Sequence, residues 1–199
     1  MAGHLQTALI RPWKQRAIIM NYIKTGLVLL LMFILGLGVF IGSGRYNPGA
    51  DSPHWKITYA FFQSTRERSV EHYASEVALP ANLDDAQLIL KGAGQYAAMC
   101  THCHLAPGMK NSEIRLGLYP EPPNLSKVTV DPREAFWVIK HGLKMTAMPA
   151  WGIGHDDATI WSMVAFLQKL PGMTSAQYHA MVAKAPPDDD MDSMDHTTP

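Results

Sequence analysis

Cysteine is scarce: the 199 residues contain two, Cys100 and Cys103. No second cysteine pair and no compact histidine pair completes the four protein ligands of a structural zinc site. No strand pattern leads into Cys100, so the βαβ setting of a thioredoxin-like dithiol is missing. A disulfide across so short a loop would be strained and would leave the adjacent His104 without a role. Acidic residues are also absent before residue 45, where Arg11, Lys14, Arg16 and Lys24 give +4. Beyond that point 13 basic and 17 acidic residues give −4, so a net charge of zero hides a strong asymmetry. No charge interrupts Thr25 to Gly44. No nucleophile–base pair or carboxylate constellation stands out anywhere, and no nucleic-acid partner is expected. The length allows one ordinary domain with appendages.

What is present begins with Cys100-Thr101-His102-Cys103-His104. C-x-x-C-H is the attachment signature of c-type haem. Two thiols three residues apart on a helical turn project to the same side, matching the two vinyl groups on one porphyrin edge. His104, the next residue, is then held beneath the iron as proximal ligand. His102 occupies the variable position of the motif and should point away.

The uncharged run at 25–44 is long enough, at about 1.5 Å per helical residue, to span a bilayer's hydrocarbon core. Its basic N-terminal flank places residues 1–24 in the cytoplasm. A cleaved signal peptide would carry a shorter apolar region and an A-x-A-like exit; Gly42-Ser43-Gly44 is a poor substitute, and an uncleaved anchor is the better reading. Either way the chain beyond residue 45 lies outside the cytoplasm, the side on which covalent haem is attached. The two signals agree on a single-pass protein of the bacterial cytoplasmic membrane with its haem domain in the periplasm.

In the juxtamembrane segment 45–81, loop residues precede an aromatic group, Trp55, Tyr59, Phe61 and Phe62. A helix is predicted from Trp55 to about Val77. It would lie on the lipid surface or on the haem domain; docking to a membrane partner is the rival reading. A second helix starts near Asp84-Asp85 and places Gly92, Tyr96 and Cys100 on one face, the glycine allowing another helix to cross closely. The proline-rich stretch 105–125 excludes regular structure. Pro107 and Pro123 are candidates for the wall behind His104, and one backbone carbonyl there should accept the other imidazole N–H. Asp131-Pro132 starts a helix that Gly142 stops. A long helix from Asp156-Asp157 ends at Pro171-Gly172, and a shorter one covers about Ser175–Lys184.

For a sixth iron ligand the chain offers Met145, Met148, His141 and His155. Met148 is preferred, because it precedes Pro149 in a loop bounded by Gly142 and Gly152, between two helices. A thioether there would favour Fe(II) and raise the potential. Met145 is the nearest rival. His141 reads as a helix-end histidine, and His155, beside Asp156, as surface. Lys140 and Lys144 flank the loop and could guide an acidic partner.

Together, Gly92-x-x-x-Tyr96-x-x-x-Cys100-x-x-Cys103-His104, the stretch Lys144 to Trp151, and Ile160 to Leu167 resemble the class I c-type cytochromes. The likeness is nearest to monohaem domains of membrane-anchored cytochromes and of haem–copper oxidase subunits, and covers about residues 82–172. It implies an all-α fold, a small helical bundle around one haem c, with the C-terminal helix crossing the first near the glycine. It implies covalent attachment through Cys100 and Cys103, His104 and Met148 as axial ligands, and one-electron transfer rather than enzymatic catalysis. Redox proteins (an oxidase, a reductase or a dehydrogenase) are the implied partners, with membrane lipid reached through the anchor. A C-terminal helix at 173–185 and an acidic Met/His tail at 186–199 follow. The tail is expected to be solvated, though Met191, Met194, His196 and its aspartates could hold copper or dock on a basic partner. Two further functions remain: a fixed subunit of a larger membrane complex, and a haem sensor or enzyme should Met148 not bind iron.

Overall fold

The computed structural model describes residues 3–187. The acidic Met/His tail, expected to be solvated and named as able to hold copper, lies from residue 188 on outside the described residues. Among those residues every regular element is helical and none is a strand.

The first of two compact units ends at Gly49 and is dominated by α1 (Gly3–Gly42). From Trp13 to Gly42 this helix has a mean hydropathy of 2.5 and is long and apolar enough to cross a membrane. The uncharged run at 25–44 forms its C-terminal part, as far as Gly42. Lys14, Arg16 and Lys24 do not break the helix, because long straight-chain basic residues are good helix formers.

The second unit begins at Ala50. Its α2 (Lys56–Ala74) turns Val70 and Ala74 inward and packs on α6 (Pro132–His141). The Tyr73 ring stacks on Trp137 with centroids 5.5 Å apart. Of the placements open to this segment, its second half lies on the domain.

The centre of the unit is the crossing of α3 (Ala86–Met99) and α7 (Asp157–Leu167). Asp85 starts α3 by accepting the N–H groups of Gln87 and Leu88, each at 2.9 Å. At the crossing, a Cβ on Gly92 would lie 1.9 Å from the Ser162 carbonyl oxygen. Only glycine permits that approach, as the spacing predicted. Buried nearly all round, α7 contributes Ile160, Met163, Val164, Phe166 and Leu167 to the core. Asp156 caps it through the Thr159 N–H at 2.7 Å. Although α7 ends at Leu167, the turn continues far enough for the Leu170 N–H to reach the Phe166 carbonyl at 3.1 Å. The last helix, α8 (Ser175–Val182), opens with a capping box between Thr174 and Gln177 and brings Tyr178 against Tyr96 and Phe166. Short helices α4 (Thr101–His104) and α5 (Glu113–Leu116) and a 3-10 turn at Trp151–Ile153 complete the unit.

Candidate haem-binding site

Cys100 ends α3 and begins α4, so the motif continues the helix for one more turn. The N–H groups of Cys103 and His104 both reach back to the Cys100 carbonyl, at 3.2 and 2.8 Å. Both thiols are free and half-buried. Burial pushes the Cys100 thiol up to about 12, with the nearby Cys103 adding to the effect. His102 is exposed, turned to solvent as its variable place in the motif predicts.

His104 is fixed from several directions. Its Nδ1 lies 3.0 Å from the Pro123 carbonyl oxygen. A carbonyl can only accept, so Nδ1 carries the proton and Nε2 keeps its lone pair for a metal. Burial lowers the imidazole's pKa below its ordinary value and the charge of Arg115 adds to this, opposed by the Pro123 contact, which raises it. The net result favours the neutral ring that a metal requires. Pro123 is one of the two prolines picked out in the sequence; the other, Pro107, is buried close to the motif.

Immediately after His104 the chain reverses at Leu105, which has φ 63° and ψ 147°. A buried leucine in this glycine-like region costs on the order of 1–3 kcal/mol and must be held by its surroundings. Tyr96 holds it, its hydroxyl donating to the Leu105 carbonyl at 2.6 Å. The Leu125 N–H reaches the His104 carbonyl at 3.1 Å. Arg115 ties down the approach to Pro123 by donating from Nε to the Pro122 carbonyl at 3.1 Å and pairing with Glu121. Ser112 donates to the His102 carbonyl. Neither the Tyr96 nor the Arg115 role was anticipated from sequence.

Met148 sits on the loop after α6. Gly142 ends that helix with φ 65°, and a Cβ there would stand 2.7 Å from both the Met148 carbonyl oxygen and the Pro149 carbonyl carbon. The loop closes through the Leu143 N–H to the Met148 carbonyl at 3.1 Å, and the Met148 N–H to Thr146 Oγ1 at 3.1 Å. Thr146 in turn donates to the Leu143 carbonyl at 2.8 Å. Met148, Trp151 and Cys100 all pack against the same apolar core. Met145, the nearest rival, is 77 % exposed on a backbone of φ 58°. His141 is an exposed helix-end residue beside Trp137.

Two expectations need correction. His155 is buried, not on the surface: its N–H bonds back to the Trp151 carbonyl at 3.0 Å, and its ring lies 5.8 Å from the Trp151 ring. Lys140 is not a free docking charge, because Nζ pairs with Asp157 at 2.7 Å and sits over the Phe136 ring.

Two thiols on one helical turn, a neutral imidazole with a presented lone pair and a half-buried thioether form a donor set that fits haem. Residues 87–167 match the family model described as cytochrome c oxidase, cbb3-type, subunit III. This stretch is a class I c-type cytochrome domain. The curated proteins offer no match to the chain. A c-type cytochrome domain is an electron-transfer unit that uses haem c, with other redox proteins as partners. Within the second unit, whose described regular elements are all helical, residues 87–167 carry that fold, and α1 is compatible with a single-pass membrane anchor.

Proposed function

We propose that this chain is a membrane-anchored monohaem c-type cytochrome that carries single electrons between respiratory-type redox partners. Cys100 and Cys103 would hold one haem c through thioethers, and His104 Nε2 and Met148 Sδ would bind its iron. Bound there, haem supplies an iron that passes between Fe(III) and Fe(II) one electron at a time. The chain's own groups do the rest. The Pro123 carbonyl orients the imidazole and raises its basicity through Nδ1–H. The thioether of Met148 favours Fe(II) and so raises the potential. With His104 and Met148 both bound to the iron, the protein would leave no coordination site for substrate, which favours a carrier over an enzyme or sensor.

The observation that carries this reading is the contact between His104 Nδ1 and the Pro123 carbonyl. It leaves one nitrogen of the motif histidine committed and the other presented. The basic flank of α1 supports an N-terminus in the cytoplasm and a haem domain on the periplasmic side of a bacterial inner membrane.

The test is spectroscopic and uses the full chain purified from membranes. Haem should survive denaturing electrophoresis, the oxidised protein should show a methionine-to-iron charge-transfer band, and the reduced protein should bind CO slowly or not at all. Absence of the band together with rapid CO binding would sink the carrier reading in favour of a sensor or enzyme. A second reading, a fixed subunit of a larger membrane oxidase, is favoured by the description of the matched family. Native gels after gentle detergent extraction decide it: a monodisperse lone chain counts against a complex.

A further inference from the structure

The two halves of α2 differ sharply. From Arg66 on, the helix presents Arg68, Glu67 and Glu71 to water and buries Val70 and Ala74 against α6. The first half, from Trp55 to Thr65, carries a single charge, Lys56. Ile57 and Phe61, four residues apart, share a face. At 100° per residue that face is roughly opposite the one holding Val70 and Ala74. Trp55 is 83 % exposed, Ile57 78 % and Phe61 65 %.

A second exposed apolar group lies on the other side of this end of the helix, where it is met by Tyr59, two residues and about 200° from Ile57. Leu116 of α5 is 70 % exposed, and it lines one groove with Pro53, His54, Tyr59, Tyr119 and Pro120. The His54 N–H donates to Tyr119 Oη at 3.2 Å, and the Tyr119 ring lies 5.9 Å from Tyr59. Large aromatic and aliphatic side chains thus collect at the edge of the domain where the chain arrives from α1. Water-soluble surfaces seldom expose such a group without an occupant.

We propose that this end of the domain, with an apolar group on either side of α2, enters the headgroup–acyl boundary of the bilayer, with Trp55, Ile57, Phe61 and Leu116 as its membrane-contacting residues. The proposal rests on the reading of α1 as the membrane anchor. Residues 43–55 can extend at most about 45 Å, so the segment starting at Trp55 stays within reach of the membrane that α1 crosses. Tryptophan and tyrosine favour this interface, where an apolar body and a polar tip are both satisfied. The charged residues lining the groove, Asp51, Lys56 and Glu121, are of mixed sign, so its apolar side chains carry the attraction to the bilayer.

The surface is coupled to the haem motif. Ser112, the cap of α5, donates to the His102 carbonyl, and Arg115 within α5 holds the Pro122 carbonyl. Seating Leu116 in the interface therefore turns a defined edge of the motif segment toward the bilayer. A partner embedded in the same membrane would meet that edge in a preset orientation.

The test places the full chain in phosphatidylcholine–phosphatidylglycerol vesicles doped with a lipid carrying a diazirine near the headgroup end of its acyl chain. Labelled peptides are mapped by mass spectrometry after illumination. Label is expected in α1, in residues 55–61 and in residues 114–116. The triple variant Trp55→Ser/Ile57→Ser/Leu116→Ser, all at exposed positions, should keep its circular dichroism and lose the label outside α1. Residues 145–153, with Met145 and Ile153 also exposed, serve as the control. Label confined to α1 overturns the proposal, leaves the anchor intact and assigns the surface to a protein neighbour. Equal label at 145–153 also overturns it. Label at 55–61 with none in α1 instead defeats the anchor reading and leaves this surface as the attachment.

Discussion

Around His104 the hydrogen bonds draw on residues spread from Tyr96 to Leu125. Tyr96 on α3 holds Leu105, Pro123 holds the imidazole, Leu125 holds the His104 carbonyl, and Arg115 fixes the Pro122 carbonyl. Around Met148 the bonds described are local, linking Leu143, Thr146 and Met148 within one short loop. The first arrangement ties a ligand to the folding of the whole domain. The second ties a ligand to six residues and to one glycine, Gly142, that lets the loop close. A site built this way should fail on its methionine side first and on its histidine side only with the global fold.

Substitutions on either side of the site test that contrast. The largest effect is expected from Cys100→Ser/Cys103→Ser, which should abolish all haem retained on a denaturing gel, since neither axial residue forms a bond that survives denaturation. Gly142→Ala should break the methionine side alone. Its new Cβ meets the Met148–Ala150 backbone in a strained conformation, so the methionine charge-transfer band should vanish and the potential fall while covalent haem is retained. Gly92→Ala should instead weaken both sides together. It forces α3 off Ser162 and should cost about 1–3 kcal/mol or more by overpacking, read as a lower denaturant midpoint for every probe. Tyr96→Phe strands the buried Leu105 carbonyl and should cost about 1–3 kcal/mol, with the methionine band unchanged in native buffer. The smallest effect is expected from Thr146→Val. It should cost about 1 kcal/mol and appear as loss of the methionine band at lower denaturant than the far-ultraviolet signal. Coincident loss of the two signals in that variant would remove the contrast.

The parts of this architecture written in local chemistry were legible beforehand. Asp85 and Asp131-Pro132 start their helices as capping residues do, Gly142 stops α6, and Gly92 marks the crossing. Features that depend on where an irregular chain travels were not. A backbone acceptor for His104 was foreseen, but its place at Pro123 depends on a proline-rich path without periodicity. Tyr96 was placed on the correct face, yet its partner exists only because Leu105, a residue with no turn signature, adopts a positive φ. Asp156 made His155 look like surface, whereas the 3-10 turn at Trp151–Ile153 folds back and encloses it. Lys140 seemed free until the fold brought Asp157 within 2.7 Å of it.

The contact of Gly92 with Ser162 bears on the speed of electron transfer. At that point two helices meet backbone to backbone, with no side chain between them to change rotamer. One of these helices runs into Cys100, and the other follows directly on the methionine loop. Close-packed backbone is far less compressible than a flexible side-chain contact. A change in iron charge would then meet a scaffold with little slack, and the nuclear rearrangement accompanying each electron would be small. A low reorganisation energy is what a carrier needs to exchange electrons quickly at modest driving force, and here it would rest on the smallest residue in the helix.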